Sequence, residues 1–224
     1  MEHSEIQMFH NDVQKVFFRG REEKMNVLSN VFQPYLSGDI LDVGCDRQFL
    51  KSVVTGRYIG IDRYGTPDIY VNVEEGLPFK DQSFETIIAM DILEHLEHIH
   101  AAFDELARVA SRRLIIGLPN MYEWRFRLQF LMGRKMSGKY GLPIERPADR
   151  HRWLFSFWQA RQFVHHRGKQ QGFHVVKEVI GYYRYNKLAA KWITILGSLL
   201  PPDKISLFVY HYWALLERTS PNQV

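Results

Sequence analysis

Residues 39–50 read DILDVGCDRQFL, and this stretch decides the fold. Ile40, Leu41 and Val43 form an apolar, largely β-branched run that suits a strand covered on both faces of a parallel sheet. Gly44 follows at once, and glycine at a strand end lets the backbone turn tightly and approach a ligand closely. Asp42 lies inside the run, where a carboxylate is costly to bury unless something pairs with it. A helix from Phe49 past Val54 would complete a strand–turn–helix unit, the arrangement that cradles a nucleotide-like ligand at the carboxyl end of a sheet. Eighteen residues beyond Gly44, a short apolar strand over 58–61 ends in Asp62. An acid at the tip of that neighbouring strand is placed to accept hydrogen bonds from a ribose.

This pair of strands resembles the class I S-adenosylmethionine-dependent methyltransferases, of the type 11 kind, whose first strand ends in LDVGCGxG and whose second ends in an acid. The chain departs from that pattern at Asp46 and Gln48, where the family carries glycines. Larger side chains there narrow the approach to the methionine end of the cofactor. The Asp46 carboxylate opposes the cofactor's own unless it faces solvent or the sulfonium. The resemblance implies S-adenosylmethionine as cofactor, held by Asp42, Gly44, Cys45, Asp62, Arg63, Asn72, Val73, Met90 and Asp91. Within that set Asp62 would take the ribose, Gly44 and its neighbours the methionine moiety, and Asn72 and Val73 the adenine. Asp91 would lie along the methionine chain. Asn72 stands where many relatives have Asp, and its amide can both donate and accept.

The 224 residues, 46% of them hydrophobic, suffice for one domain with a sizeable core. The single cysteine, Cys45, allows no internal disulfide and no cysteine-based zinc site, which fits a reducing compartment. With no base evident beside it, Cys45 reads as a small buried apolar residue rather than a nucleophile. The opening stretch MEHSEIQMFHNDVQK lacks the basic and apolar blocks of a secretory signal, and no apolar run approaches the ~20 residues that span a bilayer. A soluble, cytoplasmic protein is expected. Charge is unevenly spread: residues 1–120 carry 12 Lys/Arg against 19 Asp/Glu, whereas 121–187 carry 14 against 4, a net +10. That basic segment either faces an anionic partner or is a solvated face without one.

Residues 5–36 read as one or two amphipathic helices with Val13, Val16, Phe17, Met25, Leu28, Val31 and Phe32 as the apolar stripe, so that 1–37 forms an N-terminal helical cover. Pro34 and the pair Ser37 and Gly38 end it. A third strand is expected over 69–71 and a fourth over 86–90, with Leu77, Pro78 and Phe79 in the segment between them.

The fourth strand delivers MDILEHLEHIH at 90–100, where Asp91, Glu94, His95 and His98 fall at three- and four-residue steps and would crowd one side of a helical turn. Two uses are open. His95 can act as general base on a substrate hydroxyl, with an acidic neighbour fixing its tautomer. Alternatively Asp91, Glu94 and His95 can hold a divalent cation. The stretch resembles the metal-holding ExxEH of small-RNA 2′-O-methyltransferases and of some quinone-precursor O-methyltransferases. Asp91 replaces the first Glu, and His151 in DRHRWLFSF sits where the distal His of the former would fall. The catalytic set preferred here is His95, His151 and Glu94 without a metal; the metal set Asp91, Glu94, His95 and His151 is the alternative.

A helix over 99–110 and a fifth strand over 114–116 lead to Asn120, either a substrate ligand or a turn residue. Residues 121–152 form an inserted cap and substrate segment in which Arg and Lys alternate with Tyr, Trp and Phe. Such a segment can bind phosphates and stack on a base or sugar, or merely pack as a lid. Arg125, Arg127, Arg134 and Lys135, with the amphipathic run 124–132, would also suit an anionic membrane surface. LPIERPADRHRW resembles bacterial methyltransferases of surface-polysaccharide or lipid-linked glycan synthesis. Then come a helix over 157–166 capped by Ser156, a strand over 173–180, a helix over 188–200 stopped by Pro201 and Pro202, and a last strand over 207–216. His165, His166, His174 and His211 read as surface or satisfied core histidines.

The expected fold is therefore a single α/β domain, a Rossmann-like mixed sheet of seven strands with the last antiparallel, helices on both faces and a small inserted cap. The expected function is O-methylation, by S-adenosylmethionine, of an anionic or sugar-containing small-molecule or glycan acceptor, with or without phosphate. The alternatives are an RNA methyltransferase and a catalytically degenerate module that binds a cofactor or partner. No transmembrane segment is expected, and peripheral membrane contact is compatible with the sequence.

Overall fold

Ile40–Val43 (β2) is buried at all four positions, between parallel neighbours Tyr58–Asp62 (β3) and Phe84–Met90 (β5). The computed structural model that shows this describes residues 13–134, 144–145, 150–186, 188–200 and 205–219. The other strands are Gln14–Phe18 (β1), Ile69–Tyr70 (β4), Ala110–Pro119 (β6), Phe173–Tyr183 (β7) and His211–Arg218 (β8). They join in one sheet in the order β1-β7-β8-β6-β5-β2-β3-β4. β8 is antiparallel to both β6 and β7, and every other pairing is parallel. The last strand is thus the antiparallel one, as expected, but among the described residues the sheet has eight strands rather than seven.

The extra strand corrects the reading of the N-terminal cover. Val13, Val16 and Phe17 fit a helical stripe, yet residues 14–18 pair with the outer edge of β7, with Lys15 opposite Ile180. QKVFF is β-branched and aromatic, and the sheet uses that: Phe18 is buried against Trp213 at 5.5 Å between ring centroids, and Phe17 stacks on Tyr182. The helix (α1) is Gly20–Phe32, with Leu28, Val31 and Phe32 buried. Residues 5–12 lie outside the described residues.

Alternation along the central strands divides the core. Leu41, Val43, Ile87, Ala89, Leu114 and Ile116 face a cluster shared with Ile99–Val109 (α2) and Phe157–Gln170 (α4), whereas Ile40, Ile88 and Ile115 face α1. Helices therefore cover both faces. Ser156 caps α4 in a full capping box with Gln159. The helix expected over 188–200 runs Leu188–Gly197 (α5), and the last strand begins at His211 rather than 207. Of the cap segment the described part holds one helix, Trp124–Leu131 (α3); residues 135–143 and 146–149, Lys135 among them, lie outside the described residues.

No helix follows β2. The chain makes successive turns over 46–53, closed by i to i−3 bonds from Lys51 to Gln48 and from Val53 to Leu50 and by one i to i−4 bond from Val54 to Leu50, and Asp46 and Gln48 hold left-handed φ values of 47° and 55°. These are the two positions where glycine was expected; the backbone keeps the glycine conformation without the glycines.

One charge cluster is sealed in the core. Arg161 on α4 donates through Nε and Nη2 to the two oxygens of Glu178 on β7, at 2.8 and 3.0 Å. His165 and the Tyr212 hydroxyl also reach Glu178, at 3.1 and 2.7 Å. Burial pushes the Glu178 carboxyl up, but the hydrogen bonds from His165 and Arg161 and the Arg161 charge overcome this and hold it down at about 2.

Candidate active site

A cleft of about 1210 Å³ opens at the carboxyl ends of β2, β3 and β5. Asp42, Gly44, Cys45, Asp62, Arg63, Asn72, Val73, Met90 and Asp91 all line it, together with His95. Parallel strands that end at one edge, each followed by a turn, bring these sequence-distant residues to one place.

Gly44 has φ +77°, and a Cβ there would lie 3.0 Å from the Ile92 side chain. The turn therefore requires glycine both for its backbone and for space. Its amide and that of Cys45 donate to the Ile61 carbonyl, locking the turn to β3. Asp62 accepts from the Asp46 amide at 2.8 Å and from the Tyr64 amide at 3.0 Å, so the acid at the strand tip holds both neighbouring loops in place. Asp46 itself pairs with Arg21 of α1 at 2.8 Å, and Arg21 lies over the Phe49 ring. Its negative charge is thus matched within the protein.

Asp42 solves its burial through Tyr58, whose hydroxyl donates to it at 2.6 Å. Burial still raises the carboxyl to about 6. Burial, together with Asp42, Asp62 and Asp68, pushes the Cys45 thiol up to about 12, so it stays protonated and is no nucleophile. The Asn72 amide is spent locally: Nδ2 donates to Glu75 and Oδ1 accepts from the Glu74 amide, which caps the short turn Val73–Glu75. Asn72 also lines the cleft.

The 90–100 stretch does not form one helical face. Asp91 adopts a left-handed φ of 55° and turns away from Glu94. Its carboxylate meets Lys24 of α1 and Nε2 of His211 on β8. His211, expected as a surface or satisfied core histidine, is buried, and burial followed by the nearby Lys24 charge holds its imidazole well below its usual range. A neutral ring facing a carboxylate donates Nε2–H to it, leaving Nδ1 as a buried acceptor with no partner among the described residues. Nothing in the sequence marks His211, because 120 residues separate it from Asp91.

Glu94, His95 and His151 do converge. One ligand atom from each lies within 4.8 Å of the others, with His95 Nε2 3.7 Å and His151 Nε2 4.0 Å from Glu94 Oε1. The two rings meet edge to face at 4.5 Å. His95 Nδ1 lies 3.1 Å from the Arg150 carbonyl. A carbonyl only accepts, so Nδ1 carries the proton and Nε2 the lone pair. Asp91, the fourth member of the alternative metal set, is not in the cluster. His98 is exposed on the helix start.

Asn120 is a structural clasp: Nδ2 donates to the Ser206 and Val209 carbonyls, and Oδ1 accepts from the Tyr122 amide. Beyond it α3 is pinned to the cleft wall by Arg125, which lies 4.3 Å over Tyr185 and 4.7 Å over Tyr183 and pairs with buried Glu123. Tyr183 and Tyr210 line the cleft on this side, while Arg150 and Arg152 line it beside His95.

Residues 37–148, half of the chain, match the model of the family described as methionine biosynthesis protein MetW. No curated protein matches. Among solved structures, a SAM-dependent methyltransferase from Archaeoglobus fulgidus superposes with a TM-score of 0.56 at 15% identity, covering 90% of this chain and 96% of that one. Magnesium protoporphyrin IX methyltransferase (ChlM) from Synechocystis PCC 6803 with bound SAH gives 0.52 at 16% identity, covering 88% and 83%. The [4+2]-cyclase SpnF gives 0.55 at 15% identity, covering 94% and 86%. These likenesses show the fold.

Proposed function

The chain belongs to the MetW family, and from that premise we propose that it is an S-adenosylmethionine-dependent methyltransferase acting on a hydroxyl of an anionic, sugar-containing acceptor. The observation that carries this reading is the convergence of nine candidate cofactor contacts on one cleft at the carboxyl edge of the sheet. The residues present fit the cofactor. Gly44 leaves a cradle that a Cβ would fill, Asp46 and Gln48 keep the left-handed backbone of a glycine loop, and Asp62 retains acceptor capacity beyond its two amide bonds. The SAM-dependent enzymes among the structural neighbours support the same choice.

S-adenosylmethionine supplies a methyl group already activated on sulfur. What this chain must do is align an acceptor oxygen, exclude water and take a proton. Asp62 holds the ribose, the turn at Gly44 and Cys45 the methionine end, and the backbone around Val73 the adenine. Lys24, paired to Asp91, offers a cation to a carboxylate. His95 Nε2 takes the acceptor's proton, and the imidazolium so formed faces the Glu94 carboxylate, with His151 alongside. The family description names a biosynthetic setting, methionine formation, and no acceptor. The acceptor is argued from the cleft wall: Arg63, Arg150 and Arg152 suit phosphate or carboxylate, and Tyr183 and Tyr210 offer faces for a sugar ring.

Methyl-labelled S-adenosylmethionine offered with nucleoside-diphosphate sugars, sugar phosphates and total RNA tests this. Label in an alkali-stable sugar methyl ether is expected. His95→Gln should lower kcat by ~100-fold or more, the usual contribution of a general base. Label in RNA alone would replace the sugar reading by the nucleic-acid one that the +10 segment favours. The SpnF neighbour, a [4+2]-cyclase, supports the remaining alternative, a module of this fold that binds a cofactor or partner.

A second reading rests on the 4.8 Å convergence of Glu94, His95 and His151 as three ligands for a divalent cation, with the His95 proton donated to a carbonyl as metal-bound imidazoles commonly do. Methyl transfer that survives chelation unchanged excludes it.

A further inference from the structure

Helix α5 is inside out. Thr194 and Ser198 are buried at 2% and 5% exposure, and Gly197 packs so closely on Phe208 that a Cβ would clash with its ring. Lys15 holds the helix end through the Ser198 carbonyl at 2.6 Å. The large apolar side chains face out instead: Leu188 is 70% exposed, Trp192 54%, Leu196 61% and Leu199 74%. Their spacing of four, four and three residues makes one stripe. At the end of α3, Phe130 and Leu131 are 70% and 80% exposed. Tyr185 links the two helices: it packs on Trp124 of α3 at 5.9 Å and shares a small hollow with Lys191, Thr194 and Ile195 of α5. An apolar face of this kind in water marks an interaction surface.

We propose that this face docks on a lipid bilayer surface bearing anionic headgroups. Charge argues for that occupant. Neither 124–134 nor 184–200 contains a single Asp or Glu, and exposed Arg127, Arg134 and Lys191 flank the apolar side chains. Helices with Trp, Phe and Leu on one side and only cations beside them lie in the interface of anionic membranes. A second copy fits worse, because a two-fold interface sets each cation against its like with no acid to pair. No helix of the described residues is long and apolar enough to cross a membrane, so the face lies on the surface rather than through it. The cleft opens beside it through Tyr183, which borders both the cleft and the hollow under α5. An acceptor carried on a lipid would reach the cleft from that side. Docking itself stands apart from the cofactor reading.

The test is co-sedimentation with vesicles of phosphatidylcholine, with and without phosphatidylglycerol. Binding to the anionic vesicles alone is expected, falling as salt rises. The double variant Trp192→Glu with Leu196→Glu should lose it by tenfold or more while keeping its Tm and its affinity for S-adenosylhomocysteine. Arg127→Gln and Lys191→Gln, which leave the apolar stripe intact, should each weaken it by about fivefold. No sedimentation with either vesicle, or equal sedimentation of parent and variants, overturns the proposal. A concentration-dependent dimer that the Glu variants abolish would assign the face to a second copy, and capture by an acidic protein with no vesicle binding would assign it to that partner; either overturns it.

Discussion

Replacing Asp62 by Ala is expected to weaken binding of S-adenosylhomocysteine by ~100-fold or more, because a hydrogen bond to a charged group contributes ~1.5–3 kcal/mol and a ribose offers two hydroxyls. The carboxylate sits at the end of β3 with one oxygen bonded to the Asp46 amide and the other to the Tyr64 amide. A carboxylate has about four lone-pair sites, so those amides orient it without exhausting it. Ala removes the acceptor and also frees the loop that carries Asp46. Asp62→Asn separates the two effects: it can still accept from one amide and hold the loop, but it carries no charge. Titration calorimetry on both variants reads the difference. An Asp62→Ala protein that binds as tightly as the parent would leave the ribose assignment without support.

Replacing Arg161 by Met is expected to lower stability by about 3–5 kcal/mol, the usual cost of leaving a buried partner charge behind. At this chain length that is a fall in Tm of roughly 10 °C. Glu178 would keep His165 and Tyr212 but lose both guanidinium bonds. The pH profile identifies the cause. In the parent the Glu178 carboxyl is held at about 2, below its unfolded value, so its contribution is present above about pH 4.5 and is lost as pH falls toward 2. In the variant the carboxyl rises above its unfolded value, so acidification should relieve the penalty and the slope should reverse. Melts in acid and at neutral pH check both statements. Equal Tm values for the two proteins at neutral pH would contradict them.

The nucleotide-binding half was legible because its signals are local. Ile40, Leu41, Val43 and Gly44 announce a strand and a tight turn within five residues, and Asp62 follows at the tip of the next strand. The lack of a helix after Gly44 was not, since residues 49–54 read as helical and the left-handed backbone at Asp46 and Gln48 just before them shows only in the structure. β1 was hidden for a different reason. Val13, Val16 and Phe17 satisfy a helical period as well as a strand, and only the open edge of β7 decides between them. His95, Glu94 and His151 were within reach through resemblance, whereas the Lys24, Asp91 and His211 group joins α1, the end of β5 and β8, which no spacing rule connects. The outward stripe of α5 was not legible, because periodicity tells which side chains share a face and not which way that face turns.

The central claim is that the cleft at Gly44 and Asp62 receives an S-adenosyl nucleoside, and the most direct measurement is calorimetric titration of the unsubstituted protein with S-adenosylhomocysteine. One saturable site per chain with micromolar Kd is the predicted result, ~8 kcal/mol of binding free energy. No heat at millimolar ligand would contradict the account.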